Sequence, residues 1–370
     1  MPTSPPSNSR IIVLTEIEAR GGAERSVLAL SRWLYQQGIP NHVVTYVDHI
    51  GLAKYAGHPL EVVELRPEMR AAKKVAALRR YFASQREATK PLMSGYQPAM
   101  HATLAGMRGF HCLMHDTPSL FEDSAKLNLQ RRIARRVFDA VTGFGLRSGG
   151  HTIVTSEYLR GECRREFNVR ADIARMGGLT SGNAFRPRPV TNELRMLSVS
   201  RIEANKRIDW ILRALEQLEH ESPVLSARVN WKLDVVGKGS ALEAMQQLAT
   251  NLGLAGRVHF HGYLSDVELA NLYETTNLFL MPAVQGYGIP AIEALGRGIP
   301  VLLHRESGVS DILGRTPWAV VIDGRESAML SGLRQAIDNT LTGVQLSAPL
   351  PQLPTEEDWA ARVARLCNWL

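Results

Sequence analysis

Five residues within a stretch of nine, Gln285, Gly286, Gly288, Pro290 and Glu293, have types and spacing suited to holding a phosphate and the polar groups beside it. The apolar run ahead of them, Leu278 to Met281, reads as a buried parallel strand that breaks at Pro282. In the loop that follows, Gly286 and Gly288 let bare backbone approach a ligand. From about Ile289 the chain reads as helix, with Pro290 tolerated in the first turn because its missing N–H would have no partner there. A helix starting at that point aims unpaired N–H groups and a partial positive charge back at the loop, which is how phosphate is held. Glu293 stands about one turn into the helix, and Gly298-Ile299-Pro300 closes it before a further strand, Val301 to Leu303. Glycines and a proline also serve packing alone in βα turns, so this stretch by itself leaves both readings open.

The elements that must position these residues follow a βα alternation in both halves. Ile11 to Thr15 reads as a strand, Glu16 to Gly22 as a loop, and Ala23 to Gln37 as a helix with Val27, Leu30 and Leu34 on one face. That is the first unit of a doubly wound α/β fold. Further strands are expected at His42 to Tyr46, Leu60 to Leu65, Gly109 to Met114 and His151 to Ser156, the last followed by a helix through Phe167. In the second half, strands are expected at Arg195 to Val199, Lys232 to Val236, Val258 to Phe260, Leu278 to Met281, Val301 to Leu303 and Ala319 to Ile322. Six runs separated by crossovers imply a parallel sheet. The polar, proline-containing segment Thr180 to Asn192 reads as a hinge, giving domains over 1–188 and 189–352 and a terminal segment over 353–370.

At 370 residues the chain is long enough for two full cores, and no apolar run approaches the ~20 residues that span a bilayer. The polar, proline-rich opening lacks the charged and apolar regions of a secretory signal, so a cytoplasmic protein is expected. Cys112, Cys163 and Cys367 are far apart, without metal-type spacing, and read as ordinary buried thiols. The net charge of +7 is uneven: residues 1–190 carry 27 Lys+Arg against 16 Asp+Glu, and the remainder 16 against 20. Much of the basic character lies in Arg70 to Lys90, where Val75, Leu78 and Phe82 recur at helical spacing and Arg70, Lys73, Lys74 and Arg80 fall off that stripe. Such a helix suits either an anionic membrane or its own domain, with its charges in solvent. The cluster Arg131, Arg132, Arg135 and Arg136 favours an anionic partner, and nothing resembles a nucleic-acid module.

Gln285-Gly286-Tyr287-Gly288-Ile289-Pro290, then Ile292-Glu293-Ala294, then Gly298-Ile299-Pro300-Val301, resembles the signature of the retaining GT-B glycosyltransferases of the GT4 type. That family usually reads Glu-Gly-Phe-Gly-Leu-Pro, Glu-Ala and Gly-x-Pro-Val, with seven residues between its two glutamates. The spacing holds here, with Glu293 in second place and Gln285 in first. Gly21-Gly22-Ala23-Glu24 resembles the family's Gly-Gly-Ala-Glu element at the donor diphosphate, and His115-Asp116 its strand end facing the donor sugar; Asp116 itself reads as an N-cap or hydrogen-bonding partner. Arg201 and Lys206 match its Arg and Lys five residues apart. Gly237-Lys238-Gly239 and His261-Gly262-Tyr263-Leu264 occupy loops where the family binds the nucleoside, largely through backbone. Gly177-Gly178-Leu179 with Phe185-Arg186-Pro187, and the helix Glu356 to Trp369, resemble the passage closing the first domain and the terminal helix returning to it.

The resemblance implies two Rossmann-like domains facing a cleft, the second holding most of a UDP- or GDP-sugar and the first most of a glycan, lipid-linked or small-molecule acceptor. The activity expected is transfer with retained configuration, in bacterial-type surface polysaccharide, glycolipid or other glycoconjugate synthesis, peripheral to the inner face of the membrane if the basic helix binds there. Arg201, Lys206, the Gly22 backbone and the amides of Tyr287, Gly288 and Ile289 would stabilise the departing diphosphate, the cations as planar fork and point charge. Glu293 would hold the ribose hydroxyls, and Gly21, Gly237, Tyr263 and Gly286 complete the donor set. No cofactor or metal is called for, since the cations carry the charge and no Asp-x-Asp pair is present. An amide at 285 is a poor nucleophile, which favours a front-face mechanism over double displacement and keeps a catalytically silent nucleotide-sugar binder as an alternative. A GT-B nucleotide-sugar epimerase is the other alternative, and it gives no reason for the Gly-Gly-Ala-Glu and Arg-x4-Lys elements together.

Overall fold

The computed structural model describes residues 8–18, 21–68, 70–85, 89–118, 128–177, 187, 189–190, 193–221, 229–314, 316–350 and 352–370. The chain divides into two units, one of Met1–Gly177 with Pro354–Leu370 and one of Gly178–Leu353. Most of the expected hinge, and Gly178, Leu179, Phe185 and Arg186 of the expected closing passage, lie outside the described residues.

Unit 1 runs β1 (Arg10–Val13), α1 (Gly22–Gln36), β2 (Asn41–Thr45), β3 (Glu61–Glu64), α2 (Ala71–Ser84), β4 (Leu92–Ser94), α3 (Tyr96–Leu104), β5 (His111–Met114), α4 (Leu129–Leu146), β6 (Thr152–Val154), α5 (Glu157–Phe167) and β7 (Ala171–Ile173). Its seven strands lie in the order β3-β2-β1-β4-β5-β6-β7, and every pairing is parallel. Ile11, Ile12 and Val13 are all buried, as expected of a strand covered on both faces. The Glu24 carboxylate accepts the Gly21 N–H at 2.9 Å and so closes the first turn of α1, whose Val27, Leu30 and Leu34 face the core.

Unit 2 runs β8 (Glu193–Val199), α6 (Ile208–Glu221), β9 (Asn230–Val236), α7 (Leu242–Asn251), β10 (Val258–Gly262), α8 (Asp266–Thr275), β11 (Leu278–Met281), α9 (Ile289–Gly296), β12 (Val301–His304), α10 (Ser310–Leu313), β13 (Ala319–Ile322) and α11 (Met329–Thr342). The strands form a second all-parallel sheet, β10-β9-β8-β11-β12-β13, over a core that includes Trp231, Leu215, Leu233, Leu280, Leu302 and Leu333. The last helix, α12 (Glu356–Leu366), belongs to unit 1. Thr355 caps it by accepting the Asp358 N–H at 3.1 Å, and its buried Trp359, Ala360 and Val363 accompany its packing on α1.

The doubly wound reading holds for both halves, and each expected strand is present within a few residues. β4 and β7 were not expected. Each is three residues long and lacks the β-branched run, Thr-Ile-Val, that makes the equally short β6 legible, and β4 lies in the middle of its sheet. The three cysteines are buried, and burial raises their thiol pKa values, that of Cys163 to about 12. In α2, Ala77 and Leu78 are buried, Lys74 is ion-paired with Glu16, and Lys73 lies 3.7 Å from Glu68. Of the arginine cluster on α4, Arg135 is held inward, 3.5 Å from Asp139 and 3.6 Å from Glu166, while Arg131, Arg132 and Arg136 are exposed.

Burial dominates at three histidines of unit 1, His42, His111 and His115, and lowers each pKa from 6.5 to about 4. In the unfolded chain these rings take up protons below about 6.5, and in the folded chain not until about 4, so acid favours unfolding across that window. We expect the melting temperature to fall as pH drops from 6.5 to 4; a midpoint that stays level in circular-dichroism melts over that range would show that these rings do not remain neutral in the fold.

Candidate functional site

The sheet of unit 2 grows outward in both directions from β8 and β11: β9 and β10 extend it one way, β12 and β13 the other. Crossovers that leave neighbouring strands for opposite faces open a crevice at the strands' carboxyl ends, where ligands of such sheets bind. The chain leaving β8 carries Arg201 and Lys206, and the chain leaving β11 carries Gln285. The structure brings the last two together: Lys206 Nζ donates to Gln285 Oε1 at 3.4 Å. Gln285 Nε2 lies on the other side, against the Met281 sulfur, and the ammonium of Lys206, which can only donate, sets Oε1 toward itself.

The loop bearing Gln285 is braced by the loop after β12. Gly308 N–H donates to Gln285 O and Val309 N–H to Tyr287 O, both at 3.1 Å, and the Ser307 hydroxyl donates to Tyr287 O at 3.1 Å. A side chain on Gly308 would put its Cβ 2.0 Å from the carbonyl oxygen of Gly286, so only glycine permits this approach. Gly288, at φ +120°, turns the chain into α9 in a conformation that side chains rarely adopt. The first amides of α9 face the loop, and half-buried Ile289 opens the helix. The ring of Tyr287 is buried, so this residue offers a ligand its amide rather than its side chain.

Glu293 is also buried, and it has company that the sequence did not reveal. Tyr273, on α8, places its hydroxyl 3.4 Å from Glu293 Oε2 and 3.3 Å from the Pro290 carbonyl. Arg297 stacks over the Tyr273 ring at 4.6 Å while donating to the Glu293 carbonyl at 2.9 Å. The Arg297 contact is one helical turn away in sequence and legible as such. Tyr273 is twenty positions away, and only the fold brings it near.

The remaining loops of this edge are cross-linked through backbone. Ser200 N–H donates to Val236 O, Ile202 N–H to Lys238 O, and Gly237 N–H to Gly262 O, at 3.1, 2.9 and 2.8 Å. Glu203 accepts the Ser240 hydroxyl at 2.6 Å; these bonds first, then the charges of Arg201 and Lys206, hold its carboxyl below the usual range. Arg201 is exposed and Lys206 half-buried. Tyr263, just past β10, is 71% exposed, so its side chain has no structural duty in the core.

Unit 1 repeats the arrangement with different residues. Its sheet reverses between β1 and β4, and the chain leaving β1 brings Gly21 and Gly22 to the start of α1. Glu24 occupies the Gly21 amide, and burial raises its pKa. His115 follows β5, with its Nε2 2.9 Å from the hydroxyl of Ser94 at the end of β4. Ser94 is a partner that sequence could not supply, because β4 itself went unread. Among the described residues, no three His, Cys, Asp or Glu side chains gather as metal ligands.

Residues 183–346 match the sequence family of the glycosyl transferases group 1. The GDP-mannose-dependent alpha-(1-6)-phosphatidylinositol monomannoside mannosyltransferase of Mycobacterium tuberculosis is 28% identical over 54% of this chain and 53% of its own, so the match spans about half the length of that relative. Sucrose-phosphate synthase from Thermosynechococcus elongatus superposes over 97% of this chain and 98% of its own, with a TM-score of 0.72 at 17% identity. Anabaena HepE in complex with UDP and glucose does so over 98% and 100%, with a TM-score of 0.72 at 16% identity. At such identities the structural likeness speaks for the fold, which is GT-B. Over residues 183–346 the chain is therefore similar in sequence to the glycosyl transferases group 1, and over nearly its whole length it shares their fold with solved glycosyltransferases.

Proposed function

We propose that this chain moves a sugar from a nucleotide-sugar donor to an acceptor hydroxyl with retained anomeric configuration. The observation that carries the reading is the meeting of Lys206 and Gln285 at the strand-order reversal of unit 2, beside a braced glycine loop and the start of a helix. In transfer, the bond between the sugar C1 and the phosphate oxygen breaks, and the diphosphate leaves with the electron pair. Arg201, Lys206 and the amides of Tyr287, Gly288 and Ile289 act on the anion as it develops; the family resemblance adds the Gly22 backbone of unit 1 as a candidate for the same role. Buried Glu293, steadied by Tyr273, takes the ribose hydroxyls, and Gly237 and Gly286 receive the nucleotide through backbone. Exposed Tyr263 flanks the base, and the family resemblance makes His115 of unit 1, 2.9 Å from the Ser94 hydroxyl, the candidate for the sugar-facing histidine.

Gln285 is an orienting group in this scheme. With Oε1 toward Lys206 and one N–H on the Met281 sulfur, the carboxamide retains a lone pair and an N–H for sugar hydroxyls. The acceptor hydroxyl attacks C1 on the face the phosphate leaves, and its proton passes to a departing phosphate oxygen, so configuration is retained without a protein nucleophile. GDP-mannose in the relative's name and UDP in the Anabaena structure support a GDP- or UDP-sugar donor. The acceptor is a glycan, a lipid-linked sugar or a small-molecule hydroxyl, reached from the cytoplasm, with an anionic membrane surface as the further partner. The charge compensation assigned to Arg201 and Lys206 leaves no step that needs a metal or cofactor. A catalytically silent sugar-nucleotide binder is favoured by Gln285 alone.

Arg201→Ala or Lys206→Ala is expected to lower turnover by about 10²-fold with the fold intact, since one preorganised donor at developing anionic charge is worth ~3 kcal/mol. EDTA is expected to leave wild-type turnover unchanged. Donor hydrolysis across UDP- and GDP-sugars reads both; near-normal turnover in the two variants, or loss on chelation, removes these cations from the stated role.

For Gln285→Glu the expected change is modest, less than about tenfold in rate or a shift in donor preference, with wild type already giving a product of retained configuration. NMR of the product anomer for both proteins is the measurement. An inactive wild type that the carboxylate rescues would replace the front-face scheme with a protein nucleophile and put the silent reading first.

A further inference from the structure

Helix α4 carries a row of apolar residues that the described residues leave more than half exposed. Leu129 is 63% exposed, and Ile133, Val137 and Phe144 are each 55% exposed. At 100° per residue they fall within an arc of about 80° and form a stripe roughly 22 Å long. The helix makes its own packing elsewhere, through Thr142, Gly143, Gly145 and Leu146, and against α3 and α5. Arg132 and Arg136, both exposed, border one side of the stripe, and Arg108 lies over the Phe144 ring at 4.7 Å. The helix has one acidic residue, Asp139, and it faces inward to Arg135 and to the Tyr96 hydroxyl. The outer face is therefore apolar and cationic with no negative charge of its own.

We propose that α4 seats unit 1 on an anionic lipid surface, its Leu129-Ile133-Val137-Phe144 stripe among the upper acyl chains and Arg132, Arg136 and Arg108 on the lipid phosphates. The proposal takes the membrane partner suggested above and assigns it to a named element. A convex aliphatic row with a cationic border is the composition of an interfacial helix. A second copy of this chain is disfavoured, because a two-fold contact along the stripe brings the arginine borders of both copies together. The basic helix α2 takes no part in this docking, because its Leu78 is packed inward and Lys74 and Lys73 have carboxylate neighbours.

The test is co-sedimentation of the full chain with vesicles of phosphatidylcholine alone and of phosphatidylcholine with one-quarter phosphatidylglycerol, with donor hydrolysis in vesicle-free buffer measured in parallel. Wild type is expected to bind the anionic vesicles at least tenfold better than the neutral ones. Ile133→Asp with Val137→Asp is expected to abolish binding, and Arg132→Gln with Arg136→Gln to weaken it by about tenfold or more. Arg79→Gln with Arg80→Gln on α2 is expected to leave it within twofold. All variants alter exposed side chains, and unchanged circular dichroism and donor hydrolysis confirm that they fold. Binding by the Ile133/Val137 variant equal to wild type, equal wild-type binding to both vesicles or none to either, or a dimer in solution that this variant dissolves, overturns the assignment. Lost donor hydrolysis with intact vesicle binding would count against the transfer reaction and not against the docking helix.

Discussion

Parallel strands joined by right-handed crossovers can be extended past a starting strand only by sending the next crossover to the other face of the sheet. That constraint fixes where this protein can do chemistry. In unit 2 the reversal falls between β8 and β11, so the residues just beyond those two strands flank one crevice whatever their distance in sequence. Lys206 and Gln285 are 79 positions apart and meet there. The glycine loop would be slack if it hung from β11 alone; its registration comes from Ser307, Gly308 and Val309, which belong to the next strand-end loop on the same edge. Site and brace are thus consequences of strand order first and of side-chain identity second.

How much of this was legible depended on whether the signal was local. The six strands of unit 2 could be read because each is a run of apolar residues between polar helices, and the Gln285 to Glu293 stretch because strand, glycine loop and helix start are contiguous. β4 is not legible, since Leu-Met-Ser has no β-branched run like the one that marks the equally short β6, and Ser94 is missed with it although it lies 2.9 Å from His115. Tyr273 was lost for a different reason. A tyrosine on an amphipathic helix gives no sign that its hydroxyl reaches a buried carboxylate on another helix. Tyr287 is read from the sequence through its amide alone, and its side chain is indeed core.

Helices α2 and α4 make a similar point about charge. Both are basic and amphipathic, and the sequence offers both to an anionic partner, the arginine cluster of α4 more strongly. Pattern reports that two faces differ, without saying which face the rest of the chain covers. In α2 the apolar face is covered and two of its lysines have carboxylates nearby. In α4 the inward face holds Asp139, Arg135 and small residues, and the aliphatic row is left outside. The cost of that exposure is borne by the isolated protein, which is the physical reason to seek a surface that removes it.

The amide at position 285 gains meaning from its neighbour. A carboxylate there would stand beside the ammonium of Lys206, and a charge pair at such a separation interacts by a few kcal/mol at an effective dielectric constant near 20, less where solvent screens it. That attraction would be present before the donor binds and would compete with the leaving diphosphate for the same cation. A carboxamide takes the same position and still accepts a hydrogen bond from Lys206, but it does not cancel the positive charge. In a front-face transfer the leaving group is both the developing anion and the acceptor of the incoming hydroxyl's proton, so the field around it bears on both events. Under the front-face scheme proposed above, Gln285 would exchange a nucleophile for a stronger electrostatic hold on the diphosphate, and the ammonium of Lys206, which can only donate, keeps Oε1 rather than the amide N–H toward itself.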